Sequence, residues 1–238
     1  MILCGGDEAG RGAVIGPLVV SMVSVKKSSI HTLSEIGVRD SKLLTEKRRN
    51  ELYGLIEEIA HEIKVDRITP VEINDAMRNG ISLNELEALH FARLFDTMDK
   101  DISMIYLDSP DVIAEKFGVR FSISSTRPTQ VAGIKTKKQP DVKQIRIFAE
   151  HKADARYPVV SAASIIAKVV RDREMKRVEH ALKMHIGSGY PSDHYTVSAI
   201  KANLRTGVLN GYLREYWATM DNIKQARLPT WVDPRAQQ

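Results

Sequence analysis

The first 25 residues hold two apolar segments separated by two carboxylates and a glycine-rich turn, an order that predicts an antiparallel β-hairpin. Residues 1–4 lead into Asp7 and Glu8, a Gly-Arg-Gly turn follows at 10–12, and a second apolar run covers 13–25. Adjacent strand residues point to opposite faces. The two carboxylates can therefore serve one site only if the chain bends there, which the flanking glycines permit. Taken alone, such an acidic pair is most often a charged turn.

Composition limits the classes of protein to consider. The chain has 238 residues, 43% of them hydrophobic and 27% charged, with a net charge of +5 and a pI of about 9.2. This balance is typical of a globular protein and is compatible with an anionic partner. The only cysteine, Cys4, excludes a disulfide framework and a thiolate metal cluster. We expect no signal peptide and no membrane span, and a cytoplasmic location.

Periodicity and turn residues predict a mixed α/β sheet with helices on both faces, followed by a helical C-terminal piece. Further strands are expected at 62–68, 101–108 and 145–149, and helices after Thr45, Pro70, Ser82 or Asn84, at about 158–184, from Ser192 or Asp193 to about 202, and at 206–217. Residues 26–38 are expected to form a loop.

The segment 119–146 has weak strand-like alternation at 119, 121 and 123, followed by a basic stretch. It contains seven lysines and arginines and a single acidic residue, Asp141. Two interpretations stay open: a solvated edge strand with its loop, or a surface that contacts phosphates.

The helix predicted at 158–184 is apolar through most of its first half, so it should lie deep in the core. One polar stripe follows helical spacing along it, formed by Ser161, Ser164, Lys168 and Arg171. Such a stripe on a buried helix favours a role in lining a site. The alternative is small-residue packing with a lysine that extends to solvent.

Acidic residues occur at or just past the ends of three predicted strands. They are Asp7 and Glu8, Asp108, and Asp154. In open α/β sheets, sites form beyond strand ends, so these side chains could converge on one edge. A set of carboxylates without His or Cys favours Mg²⁺ or Mn²⁺ over Zn²⁺. Two such ions can promote an in-line displacement at phosphorus.

Several motifs, taken together, resemble those of ribonuclease HII, the type 2 ribonuclease H, in its archaeal form. They are Asp-Glu-Ala-Gly-Arg-Gly at 7–12 with Gly-Pro at 16–17, Asp-Ser-Lys at 40–42, Leu-Asp-Ser-Pro at 107–110, His-Lys-Ala-Asp at 151–154, the Ser-Ala-Ala-Ser helix at 161–168, Arg-Asp at 171–172 and Gly-Tyr-Pro at 189–191. The resemblance covers roughly residues 3–220. Two positions depart from the family pattern, Leu43 in place of a second lysine and Ala13 in place of proline or serine.

The resemblance implies an RNase H-like fold with a five-stranded mixed sheet flanked by helices. It also implies a catalytic domain at 1–185 and a C-terminal helical substrate-binding region at 186–238. The implied activity is cleavage of RNA paired with DNA, including single ribonucleotides in duplex DNA. The cut would lie 5′ of the ribonucleotide and leave a 3′-hydroxyl and a 5′-phosphate.

Site roles follow from the same motifs, position by position. The catalytic and metal-binding set for two Mg²⁺ or Mn²⁺ ions would be Asp7, Glu8, Asp108 and Asp154. The substrate-binding set would be Gly10, Arg11, Gly12, Ser41, Lys42, Ser164, Lys168, Arg171 and Tyr190. Within it, the turn at 10–12 would read the ribose 2′-hydroxyl, with Tyr190 stacked on the sugar.

Two alternatives remain open at this stage. One is a binding module that grips hybrid duplex through the basic stretch without cutting it. The other is a different two-metal nuclease on the same fold, such as a resolvase-like enzyme acting on branched DNA. We expect a monomer. The sequence leaves a sliding-clamp partner undecided, because neither terminus carries a clear docking peptide.

Overall fold

The computed structural model describes residues 1–38, 44–134 and 144–225. The strands are β1 (Ile2–Ala9), β2 (Leu18–Lys26), β3 (Glu62–Ile68), β4 (Ile102–Asp108), β5 (Thr129–Val131) and β6 (Ile145–Glu150). The helices are α1 (Ile30–Glu35), α2 (Glu46–Ile59), α3 (Pro70–Arg78), α4 (Leu83–Asp96), α5 (Ala114–Ser124), α6 (Ala153–Arg156), α7 (Pro158–Leu182), α8 (His194–Asn203) and α9 (Ala218–Gln225). Across these ranges, none of the helices combines the length and the apolar character needed to cross a bilayer.

The strands form one mixed sheet in the order β3-β2-β1-β4-β6-β5. β1 and β2 form the predicted antiparallel hairpin, and β3 continues it antiparallel to β2. β1, β4, β6 and β5 run parallel to one another. The predicted mixed α/β class is confirmed, but the sheet has six strands rather than five. The extra strand, β5, has three residues, too few to show a period of two in the sequence.

The hairpin strand β2 is apolar throughout because both of its faces are covered. Leu18, Val20 and Met22 belong to one core cluster, whereas Val19 and Val23 belong to another. Strands buried on both faces lose the alternation of polar and apolar residues. β2 begins at Leu18, later than the apolar run begins, because Gly16 adopts a left-handed φ of 88° next to Pro17.

Helices pack on both faces of the sheet. One face carries α3, α4 and α5, whose phenylalanines pair across the two longer helices: Phe91 with Phe117, and Phe95 with Phe121. The other face carries α1, α2 and the first half of α7. A third apolar cluster joins Val14 and Ile15 to Met175 and to residues of the C-terminal segment. This cluster places the C-terminal segment against the turn that follows β1.

Helix starts agree with the sequence signals. Thr45 caps α2, Thr69 and Pro70 begin α3, and Ser82 forms a capping box with Glu85 at the start of α4. The long helix spans Pro158–Leu182, close to the predicted 158–184. Asp193 caps α8.

Three segments fold differently from the prediction. Residues 119, 121 and 123 lie in helix α5, where Phe117 and Phe121 follow the helical period of four. Residues 206–217 form turns rather than a helix, and Gly207 and Gly211 adopt left-handed φ values there that an α-helix does not accommodate. Residues 26–38, expected as a loop, contain a short 3-10 turn and α1.

The close approach of β1 and α7 yields a stability prediction. A Cβ at Gly5 would lie 2.4 Å from the carbonyl carbon of Val159 and 2.6 Å from the amide nitrogen of Val160. Because backbone atoms cannot rotate away, Gly5→Ala is expected to lower the free energy of unfolding by about 2 kcal/mol or more. Urea unfolding followed by circular dichroism measures this.

The matched control is Gly54→Ala in α2, where an added methyl group meets nothing within 4 Å. It is expected to raise the free energy of unfolding slightly, by about 0.5–1 kcal/mol, because alanine favours the helix over glycine. Equal shifts for the two variants would contradict the close packing of β1 on α7.

Candidate active site

A cavity of about 420 Å³ opens at the carboxyl ends of β1 and β4. It is lined by Asp7, Glu8, Ala9, Gly10, Arg11, Gly12, Arg49, Asp108, Asp154, Lys168, Arg171, Asp172 and Tyr190. The four predicted acidic residues thus share one cavity with the glycine-rich turn and the predicted aromatic residue. They come from distant parts of the sequence, and the parallel pairing of β1, β4 and β6 brings them to one edge.

The expected bend at the acidic pair is absent. β1 stays regular and pairs with β2 as far as Ala9, with Asp7 opposite Ser21. Its pairing with β4, however, ends at Gly6. The side chains of Asp7 and Glu8 therefore point to opposite faces of β1. Both residues lie beyond the last residue of β1 that pairs with β4, so both side chains can line the cavity.

Asp108 and Asp154 are linked through the backbone. Asp108 is the last residue of β4, and its Oδ1 accepts a hydrogen bond from the amide of Ala153 at 2.7 Å. Lys152 adopts a left-handed conformation, with φ of 56°, and turns the chain from β6 into α6. Asp154 in α6 is buried, and its carbonyl oxygen accepts from the Ser161 hydroxyl. The carboxylate of Asp108 thus holds the start of α6, the short helix that carries Asp154.

The electrostatic environment of Asp7 disfavours its charge. Burial raises the pKa of Asp7 well above its usual range, and the charges of Glu8 and Asp108 raise it further. Lys168 and a hydrogen bond with Ser164 act in the opposite direction. Two positions of the polar stripe on α7 therefore serve the acidic cluster. Lys168 Nζ also donates to Ser164 Oγ, which joins the two side chains.

Glu8 lies near α4, on the opposite face of the sheet from α7. Burial, together with the charges of Glu87 and Asp108, raises the pKa of Glu8 to about 8, against the effect of Arg11. Burial also raises the pKa of Glu87 to about 7, although the Arg11 charge opposes this. Burial is thus the main cause of the raised pKa values of Asp7, Glu8 and Glu87.

The Gly-Arg-Gly turn is packed against Arg171 and Tyr190. Gly10 has φ of 90°, and a Cβ there would lie 2.7 Å from Arg171 Nε. The guanidinium of Arg171 lies over the Tyr190 ring, 4.5 Å from its centroid. A Cβ added at Gly12 would lie 3.8 Å from the same ring. Backbone without side chains thus stands beside an aromatic ring.

The side chain of Arg11 is hydrogen-bonded to residues of α4. Its Nη1 donates to Glu87 Oε2, and its Nη2 donates to Asn84 Oδ1. Asn84 in turn donates to Asp111, which also accepts from Arg120. The side chain is therefore engaged within the protein, and the backbone of the turn faces the cavity.

Sequence reasoning missed Glu87, Asn84 and Arg49, and it included Asp172 only as part of the Arg-Asp motif, without a role. Arg49 Nη2 donates to Asp172 Oδ2 at 2.9 Å, an ion pair on the cavity wall. Glu87 is fully buried although its side chain is ionisable. A signal for it was available: Glu87 precedes Phe91 by four residues and follows Leu86, so a carboxylate lies on the apolar face of α4.

Other expectations have mixed outcomes. Ser41 and Lys42 lie outside the described residues, as do four of the seven basic residues of the segment 119–146, namely Lys135, Lys137, Lys138 and Lys143. Within the described part of that stretch, Arg120 pairs with Glu85 and Asp111, and Arg127 donates to backbone carbonyls of 95–100. These two arginines are engaged in intramolecular contacts, which does not favour a phosphate-contacting surface there.

The donor chemistry of the cavity fits hard divalent cations. Its acidic side chains offer only oxygen ligands, which suit Mg²⁺ or Mn²⁺. Glu8 Oε2 is buried, and no described group donates a hydrogen bond to it. Within the described ranges, no three His, Cys, Asp or Glu side chains already form a group that could hold a metal ion. The fit therefore rests on the ligand type and on the unsatisfied buried oxygen.

Comparisons with known proteins identify the family. The family model described as ribonuclease HII matches residues 4–220. Ribonuclease HII of Methanosarcina acetivorans is 38% identical over 229 residues, which cover 94% of this chain and 96% of that protein. The crystal structure of ribonuclease H2 from Pyrococcus horikoshii has a TM-score of 0.79 at 36% identity, covering 95% of this chain and 98% of that one.

A second solved structure, the PCNA:RNase HII complex from Archaeoglobus fulgidus, has a TM-score of 0.77 at 34% identity and covers 94% of this chain and 97% of that one. These three relatives are archaeal, as the motifs predicted. The RNase H-like fold is likewise confirmed. The chain belongs to the ribonuclease HII family, and it is accordingly a hydrolytic nuclease of the ribonuclease H type that acts on RNA–DNA hybrids.

Proposed function

We propose that the cavity is the active site of an endonuclease that cuts the RNA strand of hybrids and also single ribonucleotides embedded in duplex DNA. The cut lies 5′ of the ribonucleotide and leaves a 3′-hydroxyl and a 5′-phosphate. One observation carries the proposal: four carboxylates from β1, β4 and α6 share a cavity with the turn at 10–12 and with Tyr190. Chemistry at phosphorus and contact with a sugar are thereby possible in one place.

In this proposal Asp7, Glu8, Asp108 and Asp154 hold two divalent cations. When bound, the cations supply an activated water and neutralise the charge on the leaving 3′-oxygen. The protein positions these carboxylates through the ends of β1 and β4 and through the amide of Ala153. Its contribution is mainly orientation and charge compensation, without a covalent intermediate on the enzyme.

The substrate-binding set acts on the sugar and the phosphates. Gly12 offers backbone close to the Tyr190 ring, so a ribose can approach the peptide and stack on the ring. A 2′-hydroxyl is the group that distinguishes RNA from DNA at such a contact. Arg171 lies behind the ring, and Lys168 lines the cavity beside the carboxylates. Ser164 supports this arrangement through Lys168.

We place the catalytic domain at 1–185 and a substrate-binding region at 186–238, because Tyr190 comes from the C-terminal part. We also propose that the protein acts as a monomer, because the acidic set, the turn at 10–12 and Tyr190 lie together within one chain. The single cysteine is buried, in keeping with a cytoplasmic protein. A sliding clamp is a candidate partner, because the solved relative from Archaeoglobus fulgidus is a PCNA complex.

The first prediction concerns Asp108. An asparagine there can still accept the hydrogen bond from the Ala153 amide through its side-chain oxygen, so the fold should persist. The lost charge removes a metal ligand, and turnover of an RNA–DNA hybrid is expected to fall by about 10²-fold or more. Binding of uncut hybrid, measured by fluorescence anisotropy with chelator present, should be retained or tightened because one repulsive charge is gone.

The control for Asp108→Asn is Asp101→Asn, which alters an exposed aspartate just before the opposite end of β4. It should leave turnover unchanged. Near-normal turnover in Asp108→Asn would contradict the catalytic assignment, and loss of hybrid binding in that variant would show that the residue serves the fold or the binding surface instead.

The second prediction concerns the ribose. A DNA duplex with one ribonucleotide should be cut on its 5′ side, whereas the same duplex made only of DNA should stay intact.

Gly12→Ala places a methyl group 3.8 Å from the Tyr190 ring, an ordinary contact that the fold tolerates. It should nevertheless reduce cutting of the one-ribonucleotide duplex, because the methyl group occupies the sugar's path to the backbone. Cleavage mapped on a sequencing gel measures both effects, and equal cutting of the two duplexes would overturn the ribose-reading role.

A further inference from the structure

A fully buried arginine from the C-terminal segment contacts the turn that follows β1. Arg214 lies between α8 and α9, and its residue exposure is 0%. Its Nη1 donates to the carbonyl oxygen of Arg11 at 3.0 Å, and its Nε donates to that of Gly16 at 3.1 Å. Its own amide donates to the carbonyl of Val14 at 2.9 Å. One residue from the far end of the chain thus holds three carbonyls of the segment 11–16.

The surroundings of Arg214 disfavour a positive charge. Burial, together with the nearby charges of Arg171 and Arg11, lowers its pKa to about 9, although Tyr190 and Glu87 act in the opposite direction. Its Nη2 is buried without a hydrogen-bond partner, and the guanidinium lies 5.1 Å from the Trp217 ring centroid. Keeping a guanidinium buried with one of its donors unpaired is costly. What the guanidinium adds is a rigid pair of donors matched to two carbonyls.

Anchoring of the C-terminal segment does not require this guanidinium. Leu213 forms an isolated bridge with Ile15, and its carbonyl accepts from the Asn74 side chain at 2.9 Å. The amide of Gly16 donates to the Tyr212 carbonyl, and the third apolar cluster buries Leu209 and Leu213. The segment is therefore attached by other contacts, and the distinctive effect of Arg214 falls on the turn.

We propose that Arg214 is a positioning residue for ribose reading: by fixing the carbonyls of Arg11 and Gly16, it sets the backbone of the turn at 10–12 against Tyr190. The side chain of Arg11 is fixed separately by Glu87 and Asn84, so the turn is held from both its side-chain and its main-chain directions. This inference deepens the proposed function and rests on the turn's role in binding the ribose.

The test uses Arg214→Met, which keeps much of the volume but removes the donors, and Arg214→Lys, which keeps the charge but lacks the two-pronged geometry. The control is Arg127→Met. Arg127 also donates to backbone carbonyls and lies over an aromatic ring, Phe95, but at the C-terminal end of α4, away from the cavity. Arg127→Met therefore controls for the loss of hydrogen bonds from a guanidinium to backbone carbonyls at a place remote from the cavity, while only Arg214→Met releases the turn.

Two readouts are measured on the full chain. Hydrogen–deuterium exchange over residues 10–16, without substrate or metal, should become at least about tenfold faster in Arg214→Met than in the control. For the one-ribonucleotide duplex, KM should rise at least about tenfold while kcat changes less, because the turn binds the sugar in the ground state as well as in the transition state. Arg214→Lys should fall between wild type and Arg214→Met in both readouts.

The outcomes separate this inference from the proposed function. Exchange in 10–16 that matches the Arg127→Met control would overturn the positioning role, whatever the activity. Faster exchange with an unchanged KM would show that the turn is held by Arg214 but does not read the ribose, which overturns the inference together with that part of the proposed function. Should Arg214→Met not fold, Arg214→Lys decides by the same two comparisons.

Discussion

The burial of like charges at the end of β1 is the constraint on which the rest of the structure depends. Asp7 is buried and Glu8 is half-buried, and burial is the main reason that the pKa values of both carboxyls are raised. A carboxyl group with a raised pKa would gain free energy by moving into water, so the packing around it must hold it in place. β1 meets this need as an inner strand with helices on both faces. Gly5 and Gly6 give these helices access, since a Cβ at Gly5 would meet α7 and one at Gly6 would meet Phe91 of α4.

Because adjacent strand residues face opposite ways, each layer of the protein controls one of the two carboxylates. α7 supplies Ser164 and Lys168 to Asp7, whereas α4 supplies Glu87 near Glu8. Glu87 also ties this electrostatic cluster to the neighbouring turn through Arg11. The acidic cluster and the turn are therefore parts of one network. The fold holds these carboxyl groups in defined positions although burial disfavours their charged forms, a pattern common in catalytic sites.

The sequence predicted the acidic set because its members lie at or just past the ends of predicted strands, and because the motifs resemble a known family. It predicted the polar stripe of α7 for a similar reason, since helical spacing is local information. Residues 119, 121 and 123 alternate as in a strand, but Phe117 and Phe121, four positions apart, form the buried face of α5, and Ile123 is exposed. Arg214 lay beyond any local pattern, since its carbonyl partners are 198 and 203 positions away. Glu87 alone had a readable signal, a charge on the apolar face of a helix.

Burial should keep the acidic cluster partly protonated until divalent cations replace the protons, and the account depends most directly on this exchange. Calorimetric titration of the protein with Mn²⁺, repeated at pH 7 in buffers of different ionisation enthalpy, counts the protons released. With the pKa of Glu8 at about 8 and that of Asp7 also raised, binding at pH 7 should release protons, and the release should diminish as the pH rises through 8. Binding at pH 7 without proton release, or no binding at all, would contradict the account.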